Sequence, residues 1–396
     1  MTPRRELHAA PDDRLDAAAA LVSERLTDLI RQEAAAQGGL LAFDRFMELA
    51  LYAPGLGYYV AGARKLGAQG DFVTAPEISP LFGRCLAEQC REALDLANEG
   101  AVLELGAGSG ALAAEVLCGL ENLGVLPARY LILELSPELR GRQRDLLAQR
   151  APELAERVQW LDSLPERFCG VVLANEVVDA MPVHRFRIRG DGSAAEIFVR
   201  PTTDGWEEVA AEVRSPGLAD AVRAIQSEGL ATEPGYTSEI NLRMEPWLAA
   251  LGAHVERGLA LLIDYGYPRR EYYQASRRTG TLMCHYRQRA HADPYHRVGL
   301  QDITAHVDFS GLAAGARAAG FSLEGFSTQA HFLIGCGLHR ALAEAGGAPD
   351  SVDLLLGAKQ LLLPGAMGER FRVIGLGKGV TRDWCGFSVR DLSDRL

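Results

Sequence analysis

From residue 101 onward, short uninterrupted apolar runs alternate with segments whose apolar positions recur every three to four residues. Residues 101–105, 130–135, 158–161 and 171–174 read as strands. The stretch from the glycine-rich turn to Gly119, and residues 137–149, read as helices. The series resumes at 259–264, and 321–326 and 371–375 add two strands around helical sequence at 338–344 and 352–362. Strands that are apolar on both faces and separated by helices predict a mostly parallel sheet covered on both sides.

Outside this series the pattern changes. Leu21, Val22, Leu26, Leu29 and Ile30 share one helical face over 16–33, and a second helix over 43–52 is stopped by Pro54-Gly55 and Gly57. Residues 58–83 are rich in Gly, Pro and aromatics and read as a long functional loop. Residues 183–188 and 195–200 alternate polar and apolar around Gly190-Asp191-Gly192, which predicts a β-hairpin, with a further strand over 206–213 and a helix over 218–228. Residues 267–310 are dense in Arg, His and Tyr, with weak periodicity. The expected organisation is a helical tail (1–37), a cap with a walling loop (38–98), a sheet core in two parts (99–181 and 256–396), and insertions at 182–255 and 267–310.

Composition narrows the class. With 396 residues, 48% apolar and 23% charged, the chain is an ordinary globular protein. No apolar run approaches the ~20 residues of a membrane helix. A net charge of −11 disfavours a nucleic-acid surface. Cys85, Cys90, Cys118, Cys169, Cys284, Cys336 and Cys385 are odd in number and scattered, as expected of free thiols in a reducing compartment. With no secretory segment at the N-terminus, the expectation is cytoplasmic. His285, His291, His296 and His306 match no zinc spacing, so no metal is expected.

The candidate chemistry starts at Glu104-Leu105-Gly106-Ala107-Gly108-Ser109-Gly110, which closes one strand and opens a helix. Glycines there admit a sharp turn and close approach of a ligand to the backbone. Ala111 also permits the dinucleotide pattern G-x-G-x-x-A. Glu104, a carboxylate on an apolar strand, is expected to face a cation or a polar ligand, which suits S-adenosyl-L-methionine better than a pyrophosphate. Glu134 and Leu135, at the next strand end, fall where a carboxylate accepts from ribose hydroxyls, and Asp162 is placed to reach an adenine amino group.

Five segments carry a resemblance: A-L-Y-A-P-G-L-G-Y-Y (50–59), G-D-F-V-T-A-P-E-I-S-P-L-F-G (70–83), L-E-L-G-A-G-S-G (103–110), A-N-E-V-V-D-A-M-P-V (174–183) and A-H-V-D-F (305–309). Together they resemble the MidA-type family of class I S-adenosyl-L-methionine-dependent methyltransferases, whose mitochondrial members are protein-arginine methyltransferases acting in complex I assembly. The resemblance implies an α/β fold, Rossmann-like, with a seven-stranded sheet, an N-terminal helical cap and inserted elements. It implies S-adenosyl-L-methionine as cofactor with S-adenosyl-L-homocysteine as product. It also implies that Gly70, Asp71, Phe72, Thr74, Ala75, Pro76 and Glu77 wall the cofactor site.

The resemblance further implies a protein partner carrying the acceptor arginine, and a mitochondrial matrix location should the chain be eukaryotic. Within the 174–183 segment, Glu176 and Asp179 are the catalytic candidates, since carboxylates that grip a guanidinium orient it. Asn175 is assigned to the cofactor, and Pro182, Glu239, Asp264, His306 and Asp308 to the acceptor. Tyr58, Tyr59 and Phe72 offer π-faces to a cation. Rival readings are a non-catalytic cofactor-binding assembly factor, a methyltransferase acting on a small molecule, and an NAD-dependent dehydrogenase. A homodimer formed through residues 182–250 stays open.

Overall fold

The computed structural model describes residues 17–61, 74–96, 100–344 and 351–396. The apolar runs form a central sheet of seven strands: β1 (Ala101–Leu105), β2 (Tyr130–Leu133), β3 (Val158–Leu161), β4 (Phe168–Asn175), β5 (Val255–Tyr267), β6 (Ser322–Thr328) and β7 (Phe371–Lys378). Their spatial order is 3-2-1-4-5-7-6, and all run parallel except β7, which is antiparallel to both of its neighbours. A two-residue strand, Val307–Asp308, pairs in parallel with the last two residues of β5. The expected α/β architecture with a mostly parallel seven-stranded sheet is therefore present.

The helices used below are α1 (Ala17–Ala36), α2 (Phe43–Tyr52), α3 (Pro80–Leu94), α4 (Ala111–Asn122), α5 (Pro137–Arg150), α6 (Leu218–Ser227), α7 (Met244–His254) and α8 (Phe309–Ala318). Alternation along each strand divides the core into two layers. Val102, Val171, Leu173, Leu261 and Ile263 pack under α3 and α4. Leu103, Leu105, Val172, Ala174 and Leu262 pack under α7 and α8. Because both faces are covered, the strands read as continuous apolar runs.

Strand order turns on β1. The chain steps from β1 to β2 and β3 on one side, then returns to place β4 on the other. That reversal opens a crevice at the carboxyl ends of β1 and β4, where sheets of this kind bind ligands.

The expected hairpin pairs His184–Ile188 with Ala194–Thr202, Phe186 lying opposite Glu196. It belongs to a second sheet with Gly205–Ala211, Thr237–Ile240 and the cap strand Leu41–Ala42, whose Leu41 faces Val199. Cap and first insertion thus share one sheet. The second insertion holds a small antiparallel sheet of Met283–Tyr286, Arg289–His291 and Asp302–Thr304. Leu282, Cys284 and Ile303 of that insertion bury against Phe46 and Met47 of α2. Among the described residues no helix is long and apolar enough to cross a membrane.

Candidate active site

The glycine turn after β1 is built by local backbone demands. Gly106, Gly108 and Gly110 all have positive φ (65°, 53° and 87°), which side chains with a Cβ rarely adopt. Gly110 caps α4, and a Cβ there would meet the Gln143 backbone at 3.1 Å. Gln143 of α5 is fully buried. Its amide donates to the Gly108 carbonyl (3.0 Å) and to Glu134 Oε2 (3.1 Å), and its oxygen accepts from the Trp160 indole at 2.8 Å. Glu134 Oε1 accepts the Ser136 N–H at 2.9 Å. Burial pushes the Glu134 carboxyl upward, an effect opposed by these donors.

A cavity of ≈ 360 Å³ opens at the ends of β1, β2 and β4. Gly106, Gly108, Glu134 and Leu135 line one end, with Ser136, Leu139 and Leu164 beside them. Asn175, Glu176, Asp179, Tyr52, Tyr59, Tyr265 and Asp302 line the other. Among the described residues that line it there is no Lys, Arg or His.

The acidic end depends on how β4 terminates. Glu176 adopts φ +54°, and its N–H donates to the Ile263 carbonyl at 2.9 Å. Asn175 donates from Nδ2 to Glu176 Oε1 (3.1 Å), while its own Oδ1 is buried without a hydrogen-bond partner. The Val178 and Asp179 N–H groups donate to Asp264 Oδ2 (3.0 and 3.2 Å), and the Tyr265 N–H donates to Oδ1 (2.9 Å). Asp264 therefore sits behind the loop and clamps its backbone. Tyr265 lies close enough to hold the Asp179 carboxyl down in part, and Asp179 Oδ1 is buried without a hydrogen-bond partner.

Cap and insertions complete this wall. Tyr52 of α2 donates to the Ala180 carbonyl (2.9 Å), Tyr59 donates to Asp302 Oδ1 (2.9 Å), and the two rings stack at 5.4 Å. The Ala305 N–H donates to the Asp179 carbonyl at 3.0 Å. Enclosure and the neighbouring Asp179 push the Glu176 carboxyl up to about 8. Burial raises Asp179, and it raises Asp264 beside Asp179 and Glu176. Acids crowded away from water hold protons until a cation arrives.

The other sequence-designated residues are placed as follows. Thr74 lines the cavity, and Ala75 and Pro76 are buried in the helical turn behind it. Glu77 lies close enough to raise the Glu176 carboxyl. Ala107 is core. Gly70, Asp71 and Phe72 lie outside the described residues.

Glu104 is buried with the Tyr130 hydroxyl at 2.6 Å, and its carboxyl is pushed up to about 7 by burial; it does not reach the cavity lining. The Asp162 side chain is 92% exposed and pairs with Arg140 at 2.8 Å, facing solvent and not the cavity. Tyr58 is core, whereas Tyr59 faces the cavity. Pro182 is buried beyond the loop.

Glu239, His306 and Asp308 are not at this cavity. They line a second one, ≈ 310 Å³, between α6, α7 and α8. There Glu239 accepts from the Thr281 N–H (2.8 Å) and lies 3.6 Å from Arg185, while Asp308 caps α8 and pairs with Arg269 at 2.9 Å. His306 stacks on Tyr267 and packs edge-on against Tyr265; burial lowers its pKa to about 4, so it is neutral. Among the described residues no group of three His, Cys, Asp or Glu can hold a metal ion. Sequence reasoning missed Tyr52, Gln143, Tyr265 and Asp302. Tyr52 lies within the 50–59 segment, whereas Gln143, Tyr265 and Asp302 reach the cavity through tertiary packing and carry no local motif.

The profile of a family described as "Putative S-adenosyl-L-methionine-dependent methyltransferase" matches residues 83–327. Among curated relatives, the mitochondrial protein arginine methyltransferase NDUFAF7 of Mus musculus is 31% identical, the match covering 85% of this chain and 81% of that protein. Its Danio rerio counterpart is 28% identical, over 84% and 82%. Among solved structures, a COG1565 superfamily member from Burkholderia thailandensis bound to S-adenosyl-homocysteine is 41% identical. It superposes with a TM-score of 0.92, covering 97% of this chain and 99% of that one.

Proposed function

The chain belongs to the MidA-type family of class I S-adenosyl-L-methionine-dependent methyltransferases, and from that premise we propose that its acceptor is an arginine side chain of a protein. The observation that carries this reading is the pair Glu176 and Asp179, both opening on the cavity that begins at the glycine turn. The names of the curated relatives, protein arginine methyltransferases, support it.

The cavity fits the methyl donor. Glu134 presents a buried carboxylate to ribose hydroxyls, the Gly106–Gly108 turn exposes backbone to the ligand, and the unpartnered Asn175 Oδ1 can accept from an ammonium. When bound, S-adenosyl-L-methionine supplies a methyl group on a positively charged sulfur, electrophilic toward a nitrogen lone pair.

The protein's own residues act on the acceptor. A guanidinium is charged at any working pH, and its delocalisation leaves its nitrogens weakly nucleophilic. Glu176 and Asp179 accept its N–H groups, draw the positive charge toward themselves, and fix which nitrogen points along the cavity. Tyr52, Tyr59 and Trp247 line the cavity with rings that displace water. As the new N–C bond forms, that nitrogen must lose one proton so that the product keeps a single positive charge. Glu176 receives the proton on a carboxylate oxygen and passes it to solvent.

The test is to incubate the purified protein with a soluble extract and methyl-tritiated donor, then hydrolyse the labelled protein. Label in methylarginine, absent with Glu176→Gln, is the expected result. Label confined to small molecules or to other residues would sink the reading.

A further inference from the structure

Four of the seven cysteines converge where the C-terminal segment meets the core. Cys336 ends the helix Gln329–Gly335 that follows β6, and Cys385 opens the turn Cys385–Phe387. Their sulfurs lie 3.9 Å apart although 49 positions separate them along the chain. Burial raises the thiols of Cys85 and Cys90 on α3, and the nearby Cys385 adds to both.

The backbone holds this sulfur contact from both sides. The Cys385 N–H donates to Glu92 Oε2 (3.0 Å) and the Gly386 N–H to Gln89 Oε1 (2.9 Å), both on α3. Trp384 and Phe387, flanking the turn, are buried in the core layer under α3. Phe387 packs edge-on against Phe332 at 5.4 Å, and the Phe332 carbonyl accepts the Cys336 N–H at 2.9 Å. Access differs among the four thiols: Cys85, Cys90 and Cys336 are buried, whereas Cys385 is half-buried. A small oxidant therefore meets Cys385 first, with a second thiol already in contact. A partner fixed at contact reacts as though at very high local concentration.

We propose that Cys336 and Cys385 form a peroxide-sensitive crosslinking site, whose disulfide fastens the C-terminal segment to the helix after β6. Hydrogen peroxide is the oxidant. The Cys385 sulfur takes one peroxide oxygen as the O–O bond breaks, giving a sulfenic acid and one water. The Cys336 sulfur then attacks the Cys385 sulfur: the S–S bond forms, the S–O bond breaks, and the departing hydroxide leaves with the Cys336 proton as a second water. The two thiols give up two electrons in all, and one peroxide is reduced to two waters. Neither cysteine lines the methyl-transfer cavity, so this site is separate from it and does not depend on the arginine reading.

The test exposes the purified, reduced protein to hydrogen peroxide at pH 8, blocks the remaining thiols with N-ethylmaleimide, and maps peptides by mass spectrometry without reductant. The expected early product is an intramolecular Cys336–Cys385 linkage, two hydrogens lighter than the reduced pair and reversed by dithiothreitol. Oxidised wild type should unfold at a higher urea midpoint than reduced wild type. In Cys336→Ser that difference should vanish, and Cys385 should accumulate as a sulfenic acid trapped by dimedone. A single cooperative urea transition certifies the fold of the variant; should it fail, the wild-type map alone decides. Linkage of Cys385 to Cys85 or Cys90, a pair still reduced after Cys118 or Cys169 has been oxidised, or a linkage formed only in unfolded protein would overturn the proposal.

Discussion

Glu176 concentrates two unfavourable features in one residue: a left-handed backbone at φ +54° and a carboxyl enclosed beside other acids. Backbone strain of this kind costs about 1–3 kcal/mol and persists where function needs it. Glu176→Gln should lower kcat by at least ~100-fold while the Kd for S-adenosyl-homocysteine changes less than about threefold; single-turnover kinetics and calorimetry read the two separately. The sign of the pH effect follows from a carboxyl raised from 4.5 to about 8 on folding. The folded state holds this proton more tightly than the unfolded chain, so the stability it contributes is full below the unfolded value and is lost as pH rises through about 8. Glu176→Gln should therefore leave stability near wild type at pH 4 and raise it by about 1–3 kcal/mol at pH 9. Chemical denaturation at the two pH values checks this, and a larger gain at the acidic end would contradict the assignment. The same carboxyl makes cation binding proton-linked: affinity for an arginine peptide should climb with pH and level off above about 8.

At the level of elements, the site depends on where strands stop and helices begin. Gly110 favours glycine because its φ is +87° and a Cβ there would meet the Gln143 backbone at 3.1 Å. Gly110→Ala should cost about 1–3 kcal/mol in stability and displace Gln143, which carries Glu134 with it. Glu134→Ala should weaken S-adenosyl-homocysteine binding by roughly 10–100-fold, the scale of losing hydrogen bonds to a charged acceptor.

Glycine turn, strand-end acid and sheet were legible in the sequence, because apolar periodicity and glycine punctuation are local signals. The β4 loop was legible too, since A-N-E-V-V-D-A-M-P is contiguous. What was not legible came from long-range packing. The small sheet that delivers Asp302 has three strands of three or four residues, too short for periodicity to register. Helix α3 was hidden in a stretch read as irregular up to Gly83, although Ser79 as cap and Pro80 at its first position announce its start. Glu104 and Asp162 show the limit from the other side: position at a strand end does not fix where a side chain points. Glu104 turns inward to Tyr130 and Asp162 outward to Arg140.

Across the whole molecule, a standard sheet is fitted with a cavity wall that the core does not contain. The cap brings Tyr52 and Tyr59, the second insertion brings Asp302, and Arg243 at the head of α7 ties cap to core through Asp44 (3.1 Å) and Glu48 (2.8 Å). Arg243 and Arg45 hold the Glu48 carboxyl down to about 2, so this clamp contributes above pH 4.5 and is lost as pH falls toward 2. Arg243→Ala should loosen the cap, raising the acceptor KM severalfold with little change in cofactor affinity, and cost about 1 kcal/mol in stability, since these charges are partly screened.

The central claim is that one cavity brings a methyl donor to a pair of acids. A crystal structure of this protein soaked with S-adenosyl-homocysteine tests it most directly. The account predicts the ribose at Glu134 and the sulfur directed toward Glu176 and Asp179. A product molecule bound elsewhere, or seated in the cavity with its sulfur turned away from those carboxylates, would contradict it.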